Sequence, residues 1–357
     1  MSERAIHIGV LVGALALAGW LFGIQGRDAH SPARSVGADA AASPLSIIPP
    51  GSAFVLSADI AQLRHAALGA SLAARFAQLG PSTGDLSSLC GFDPLSALDQ
   101  LALAVPSAGA PGSEHTDDFG VVATGRFSAA QIARCARASI TARGGDPVDS
   151  QLGTFSSVRD RKTSGGEVAA RDGGPLIVSG GDYFRALLDA AEGNAARVEH
   201  EDARDAHHAE LRRALGRGTI VATWLLAAGW FERVSGDTGA RLSPLRSLKA
   251  LGARVDVSAD VRVSVLLDCA DAASVTEIEA LLEQLRSSLS ALSLDPALRG
   301  VGQRMTTSHA GPRLRLELTL TESELQALLD ATLGPSRAAA PPAAPVSSSD
   351  ILQIPAH

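Results

Sequence analysis

The chain has 357 residues, of which 46% are hydrophobic and 19% are charged, and its formal net charge at pH 7 is −7. This length and composition predict a folded body with a substantial core, sufficient for one large or two ordinary domains. The negative charge argues against a nucleic-acid partner, because such a partner requires a basic surface.

The first element along the chain is an apolar segment that begins at Ala5 and ends at Ile24 (AIHIGVLVGALALAGWLFGI). It contains no formally charged residue, and as a helix it would be about 30 Å long, the thickness of the hydrocarbon core of a bilayer. The segment therefore predicts a single transmembrane signal anchor in a bacterial inner membrane, with the body in the periplasm. The alternative is a cleaved signal and a free periplasmic protein, since Ala38-Asp39-Ala40 matches a small-x-small cleavage pattern.

The first half of the body follows a linker at 25–49, whose Ala, Ser, Pro and Gly content cannot bury a core. Hydrophobic periodicity predicts, in chain order, a strand at 53–59, a helix at 60–79, strands at 99–106 and 119–127, a helix at 129–141, strands at 153–159, 167–171 and 175–179, and a helix at 182–192. Asp59 and Ser128 are expected to cap the helices that follow them.

The second half is predicted in the same way. It comprises a strand at 218–226, a short helix at 244–248, strands at 250–258 and 261–269, a long helix at 272–292, strands at 304–309 and 313–320, and a helix at 324–333. Thr321 and Glu324 have the spacing of a capping box at the start of this last helix.

Two pairs of similar stretches predict an internal duplication. FRALLDAAEG at 184–193 and LQALLDATLG at 325–334 are identical at six of ten positions, and GSAFV at 51–55 corresponds to GTIVA at 218–222. We therefore expect an α+β fold of two pseudo-repeats, each a mostly antiparallel sheet with helices packed on one face. Chance similarity between Ala- and Leu-rich helices is the alternative.

The predicted domain organisation combines these elements. It consists of the anchor at 1–24, the linker at 25–49, a first α+β repeat at 50–200, a charged connector at 201–217, a second repeat at 218–334 and a low-complexity Pro/Ala/Ser tail at 335–357.

The opening of the body carries a resemblance to known sequences. The stretches IIPPGSAFVLSADIAQLR and CGFDPLSALDQLALAVP, together with the single N-terminal anchor, resemble a group of uncharacterised bacterial envelope proteins with domains of unknown function. That resemblance implies a duplicated α+β body behind a signal or anchor. It implies no catalytic residue and no cofactor.

The three cysteines, Cys90, Cys135 and Cys269, leave two interpretations open. Three cysteines are too few, and odd in number, for a disulfide framework. This count favours buried, inert cysteines. A disulfide between Cys90 and Cys135 is the alternative outside the cytoplasm, and it would leave at least one thiol free.

Only one segment, at 200–210 (HEDARDAHHAE), combines residues with metal-binding chemistry. If it is helical, Glu201, Asp205 and His208 fall at i, i+4 and i+7 on one face, where two carboxylates and an imidazole would suit a divalent cation. The alternative is a solvated connector in which neighbouring arginines pair with the acids. The chain contains no nucleophile elbow, Walker A loop, His-Glu-x-x-His or Cys-x-x-Cys motif.

These observations favour a non-catalytic, membrane-anchored periplasmic protein that binds another envelope component, with no cofactor. Two other hypotheses remain: a metal-dependent hydrolase that uses the 200–210 segment, and a carrier that holds an apolar ligand between two helix-backed sheets. The expected partners are the inner membrane, through the segment at 5–24, and an unknown envelope protein or ligand.

Overall fold

The computed structural model describes residues 43–66, 86–107, 118–163, 166–194, 203–235, 242–258, 260–291, 300–325 and 327. The strands of this part of the chain are β1 Ser52–Asp59, β2 Leu98–Pro106, β3 Gly120–Gly125, β4 Pro147–Leu152, β5 Phe155–Asp160, β6 Glu167–Ala170, β7 Leu176–Ser179, β8 Ile220–Leu225, β9 Leu248–Val257, β10 Val261–Cys269, β11 Thr306–Ala310 and β12 Arg313–Leu320. They form one sheet in the order β11-β12-β10-β9-β8-β1-β2-β3-β7-β6-β5-β4, in which every pairing is antiparallel.

Helices occupy most of the connections. Those described are α1 Ile60–His65, α2 Leu86–Cys90, α3 Pro94–Ala97, α4 Ala129–Ala142, α5 Tyr183–Glu192, α6 Ala203–Leu215, α7 Trp230–Ser235, α8 Ala272–Ala291 and α9 Val301–Arg304, with 3-10 turns at Pro44–Ile47 and Ser243–Ser247. The prediction of an α+β fold with an antiparallel sheet is confirmed. Strand β4 was not predicted, because its sequence PVDSQL shows no alternation of apolar and polar residues.

The predicted helix caps are confirmed. The Asp59 carboxylate accepts a hydrogen bond from the backbone N–H of Gln62 at 2.7 Å, and Ser128 forms a capping box with Gln131. At the start of the last described helical turn, the backbone N–H of Thr321 donates to Glu324 at 2.8 Å. Each contact satisfies a backbone donor that would otherwise lack a partner at a helix or turn start.

The predicted membrane anchor lies outside the described residues, as do the linker as far as residue 42 and the tail. Most of the two helices predicted at 60–79 and 324–333 also lies outside them. Within the described residues, no helix is both long enough and apolar enough to cross a membrane.

The first strands of the two predicted halves meet at the centre of the sheet. β1 pairs with β8, with Val55 opposite Thr223, so the two halves share one continuous sheet. From this central pair the order runs β1-β2-β3-β7 in one direction and β8-β9-β10-β12 in the other. A ligand held between two separate sheets, which the carrier hypothesis assumed, is therefore not possible in the described body.

Helices cover both faces of the sheet, so the prediction that they pack on one face is wrong. Ala136 and Ile140 of α4 pack on Val158, whereas Leu187 of α5 packs in a cluster with Phe155. Phe155 and Val158 are three positions apart on β5, and side chains that far apart on a strand point to opposite faces. By the same alternation, α6 lies on the α5 side and α8 on the α4 side.

Two mid-strand glycines allow α5 and α6 to approach the sheet closely. A Cβ atom at Gly120 of β3 would lie 2.5 Å from Leu187 Cδ1, and one at Gly252 of β9 would lie 2.7 Å from Leu215 Cδ1. Real Cβ atoms do not make contacts this short, so a larger residue at either position would force the leucine side chain or its helix to move. These glycines thus explain how Leu187 and Leu215 become almost completely buried.

The cysteines differ from the favoured interpretation. Cys90 of α2 and Cys135 of α4 form a disulfide, so the prediction that all three are buried, unpaired cysteines is wrong for this pair. It holds for Cys269, which is free and buried. Burial, together with the carboxylates of Asp268 and Asp271, raises the pKa of the Cys269 thiol to about 11, so this thiol is almost entirely protonated at neutral pH.

Candidate functional site

The middle of the sheet carries an unbroken apolar surface on the side away from α5 and α6. Register places Ala58 opposite Ile220, Ile220 opposite Val255, and Val263 opposite both Val255 and Leu318. Residues that face each other across antiparallel strands point to the same side of the sheet. Five neighbouring strands therefore contribute one row of apolar side chains.

Two further rows of the same kind follow the first along the strands, beginning at Leu56 and Phe54 of β1. We define the apolar face as the partly buried residues of these rows on β1, β8, β9, β10 and β12. They are Phe54, Leu56, Ala58, Ile220, Ala222, Trp224, Leu251, Ala253, Val255, Val263, Val265, Leu267, Leu316 and Leu318. None of them is charged, and only the Trp224 indole carries a hydrogen-bonding group.

Burial varies along both sides of these strands. On the α6 side, Val55 and Thr223 are 5% and 0% exposed, whereas Arg262 is exposed. On the other side, Val257 and Val261 are both 3% exposed, whereas the neighbouring residues of the apolar face retain intermediate exposure. The apolar face is therefore a contiguous hydrophobic surface that the described residues only partly cover.

The opposite side contains the residues that the sequence proposed as metal ligands. Asp205 and His208 both lie on α6, while Glu201 lies outside the described residues. The Asp205 carboxylate accepts a hydrogen bond from the backbone N–H of Gly51 at 3.2 Å. In the part of the chain that the structure describes, no three His, Cys, Asp or Glu side chains are grouped to hold a metal ion. The complete three-residue set remains a prediction.

His208 is a buried link between α6 and the centre of the sheet. Its Nε2 lies 2.9 Å from the backbone oxygen of Ser52 on β1, and its Nδ1 lies 2.7 Å from the Thr223 hydroxyl on β8. A carbonyl oxygen only accepts hydrogen bonds, so Nε2 donates and, in the neutral ring, Nδ1 accepts from Thr223. Burial lowers the pKa of His208, and the charge of Arg212 adds to this effect. Both ring nitrogens thus have protein partners.

The outer side of α6 is held by a chain of polar and charged side chains. His207 Nε2 lies 2.7 Å from an oxygen of the buried Asp268 carboxylate on β10. Arg313 of β12 contacts the other oxygen of Asp268 at 3.4 Å and Glu210 at 2.6 Å. The Arg313 guanidinium also lowers the pKa of Glu210. These contacts connect α6 to β10 and β12.

The segment predicted at 201–217 as a solvated connector is therefore largely a packed helix. Leu211 and Leu215 of α6 are 0% and 1% exposed, and His208 is 5% exposed. Spacings of three and four residues place these side chains on one helical face. The high charge of the segment concealed this narrow buried stripe in the sequence.

The Ser52 hydroxyl beneath α6 is not an activated nucleophile. His208 contacts the backbone oxygen of Ser52 rather than its hydroxyl, and that hydroxyl lies 3.3 Å from the Tyr183 hydroxyl. Burial raises the pKa of Tyr183 to about 12, so it remains protonated at neutral pH. A nucleophile requires a base within hydrogen-bonding reach, which neither His208 nor Tyr183 supplies to the Ser52 hydroxyl. The Thr223 hydroxyl does contact His208 Nδ1, but Thr223 is 0% exposed and therefore closed to a substrate.

A surface cleft beside α4 is lined by polar residues of β4 and β5. Its charged pair, Arg137 and Asp149, is joined by an ion pair of 2.7 Å. Asp172, at the cleft margin, accepts a hydrogen bond from the backbone N–H of Ala129 at the start of α4. The charged side chains of the cleft therefore stabilise α4, and we do not assign them to a ligand.

Acidification is expected to destabilise the fold through His208. Because its pKa is lower in the folded protein than the ordinary value of 6.5, the unfolded chain binds the proton first. The free energy of unfolding then falls as the pH drops below about 6.5 towards the folded-state pKa, by up to about 1.4 kcal/mol per pH unit from this group.

Urea denaturation between neutral and mildly acidic pH measures this effect. His208→Gln retains an amide that can donate to Ser52 but has no group that titrates in this range, so its pH dependence should be flatter than that of the wild type. Equal pH slopes for the two proteins would show that His208 does not contribute.

No family model and no curated protein sequence matches the chain. Among solved structures, crystal form III of TP0453 is similar at 11% sequence identity with a TM-score of 0.49, covering 82% of this chain and 100% of that chain. Crystal form I of TP0453 is similar at 12% identity with a TM-score of 0.45, covering 82% and 98%. Likeness at this level supports no inference about the function of this chain.

Proposed function

We propose that the protein is a non-catalytic, membrane-anchored protein of the bacterial envelope whose body binds another envelope component on the apolar face. The observation that carries this proposal is that adjoining rows of uncharged, apolar side chains on β1, β8, β9, β10 and β12 remain partly exposed. Contiguous apolar surfaces that remain exposed on a soluble domain mark interaction sites. A bound component would complete the burial that the described residues leave unfinished.

The proposed location rests on the apolar segment at 5–24 and on the resemblance of the body to envelope proteins. The disulfide between Cys90 and Cys135 supports it, because disulfides persist in the periplasm and are rare in the cytoplasm. The equivalent orders β1-β2-β3-β7 and β8-β9-β10-β12 support the proposed duplication of the body.

Metal-dependent hydrolysis has less support. His208 would have to give up hydrogen bonds to Ser52 and Thr223 before either ring nitrogen could bind a metal. A carrier of an apolar ligand remains compatible with the fold once the ligand is placed on the apolar face of the single sheet.

Photocrosslinking in living cells tests the proposal. A p-benzoylphenylalanine in place of Ala253 places the reactive group on the apolar face, and the same group in place of the exposed Arg262 places it on the other side of the neighbouring strand. Irradiation is expected to add a discrete mass to the chain substituted at 253 and none to the control. Equal yields at both positions, or none at either, would show that no component occupies the apolar face.

A further inference from the structure

We infer that the component held on the apolar face is the acyl chain of a membrane phospholipid, an inference that rests on the proposed function. The first reason is the chemistry of the face. A typical protein–protein interface carries about one hydrogen bond per 100–200 Å² and a polar rim. The three rows offer one side-chain hydrogen-bond donor, the Trp224 indole, and an aliphatic chain has no acceptor for it. A hydrocarbon requires apolar contact alone, which this surface provides.

The charges of the same strands lie on the opposite side. Arg254, Arg262 and Arg315 are displaced by an odd number of positions from face residues such as Val255, Val263 and Leu316. Alternation along each strand therefore directs these guanidinium groups towards the α6 side. A charged or strongly polar ligand would thus meet no complementary group within the rows.

The dimensions of the rows also suit an acyl chain. Leu56, Ala222, Ala253, Val265 and Leu316 face one another in sequence across β1, β8, β9, β10 and β12. Four steps between strands cover about 19 Å, compared with about 15 Å for the hydrocarbon thickness of one leaflet. A single extended chain laid across the strands would contact every residue of this row.

The position of the body relative to the membrane identifies the source of the chain. Residues 25–42 separate the apolar segment at 5–24 from the first described residue, Ser43. These 18 residues can span at most about 65 Å in any conformation. An anchored body is then held within reach of the bilayer surface, where phospholipid is the most abundant source of apolar chains.

The test uses the full-length protein reconstituted in phosphatidylethanolamine/phosphatidylglycerol vesicles that contain a phosphatidylcholine with a diazirine near the end of one acyl chain. After irradiation and proteolysis, we expect labelled peptides from β8 and β9 in addition to labelling of the segment at 5–24. Ala253→Gln adds a polar amide to the face and should reduce labelling of β8 and β9 about fivefold or more. Arg262→Gln, on the opposite side of β10, should leave it unchanged.

The outcomes separate this inference from the proposed function. Label confined to the segment at 5–24, or a chain crosslinked at 253 to protein or to a second copy of itself, would overturn the acyl-chain inference and leave the apolar face as a binding surface. Absence of any adduct at 253 in cells would overturn both. If Ala253→Gln melts below the control, Ala222→Ser on the adjoining strand repeats the comparison with a smaller change, and unchanged labelling there would contradict the inference.

Discussion

Removal of the disulfide between Cys90 and Cys135 is expected to lower the free energy of unfolding by about 4 kcal/mol. The two cysteines are 45 positions apart, and a crosslink that closes a loop of that size stabilises the fold by about this amount by restricting the unfolded chain. The bond joins α2 to α4, whose apolar residues pack on β5 and β6. Its loss should therefore loosen this flank of the sheet first.

Urea denaturation of the oxidised wild type and of a Cys90→Ala/Cys135→Ala variant measures this loss. Cys269→Ala is the matched control because it removes a buried cysteine without breaking a crosslink. It should lower stability by about 1 kcal/mol, the usual effect of trimming a small buried side chain. Coincident unfolding curves for the double variant and the wild type would contradict a stabilising crosslink.

His208→Ala is expected to destabilise the fold by about 3–5 kcal/mol. The substitution leaves the Ser52 carbonyl without its buried partner, and an unsatisfied buried group costs about 1–3 kcal/mol. The Thr223 hydroxyl loses its 2.7 Å hydrogen bond and keeps only the 3.4 Å contact with the Val55 carbonyl. The substitution also leaves a cavity between α6 and the central strands. The effect should be global, because His208 contacts the first strand of both halves of the sheet.

The neighbouring histidine supplies the control. The His207 side chain is 29% exposed, and its partner Asp268 retains a contact with Arg313. His207→Ala should therefore lower the free energy of unfolding by about 1 kcal/mol or less. Thermal and urea denaturation of the two variants measure these losses of stability. Equal losses would refute the bridging role of His208.

The sequence predicted most elements because their patterns are local. Alternation in β10 and the cap residues Ser128 and Asp59 are readable within a few positions of the chain. The apolar face could not be predicted in the same way, because it depends on register between distant strands, such as Ile220 opposite Val255. In β8, moreover, the residues on both sides are apolar or small, so the sequence does not show which side is covered.

Long-range pairing also explains what was missed at α6 and at the cysteines. The apolar stripe of α6, formed by Leu211 and Leu215, is surrounded by charged residues whose partners Asp268 and Arg313 are far along the chain. Likewise, no local pattern pairs Cys90 with Cys135. The candidate metal set was grouped on helical spacing alone, and the structure gives His208 two partners from other elements.

The measurement that tests the account most directly is the intact mass of the protein recovered from the membranes of a bacterial host, combined with digestion by protease added outside the inner membrane. We predict a membrane-bound chain that retains the segment at 5–24, lacks the two hydrogen atoms lost on forming the disulfide, and is digested from outside. A body protected from external protease, with all three thiols reduced, would contradict an envelope location and the function proposed from it.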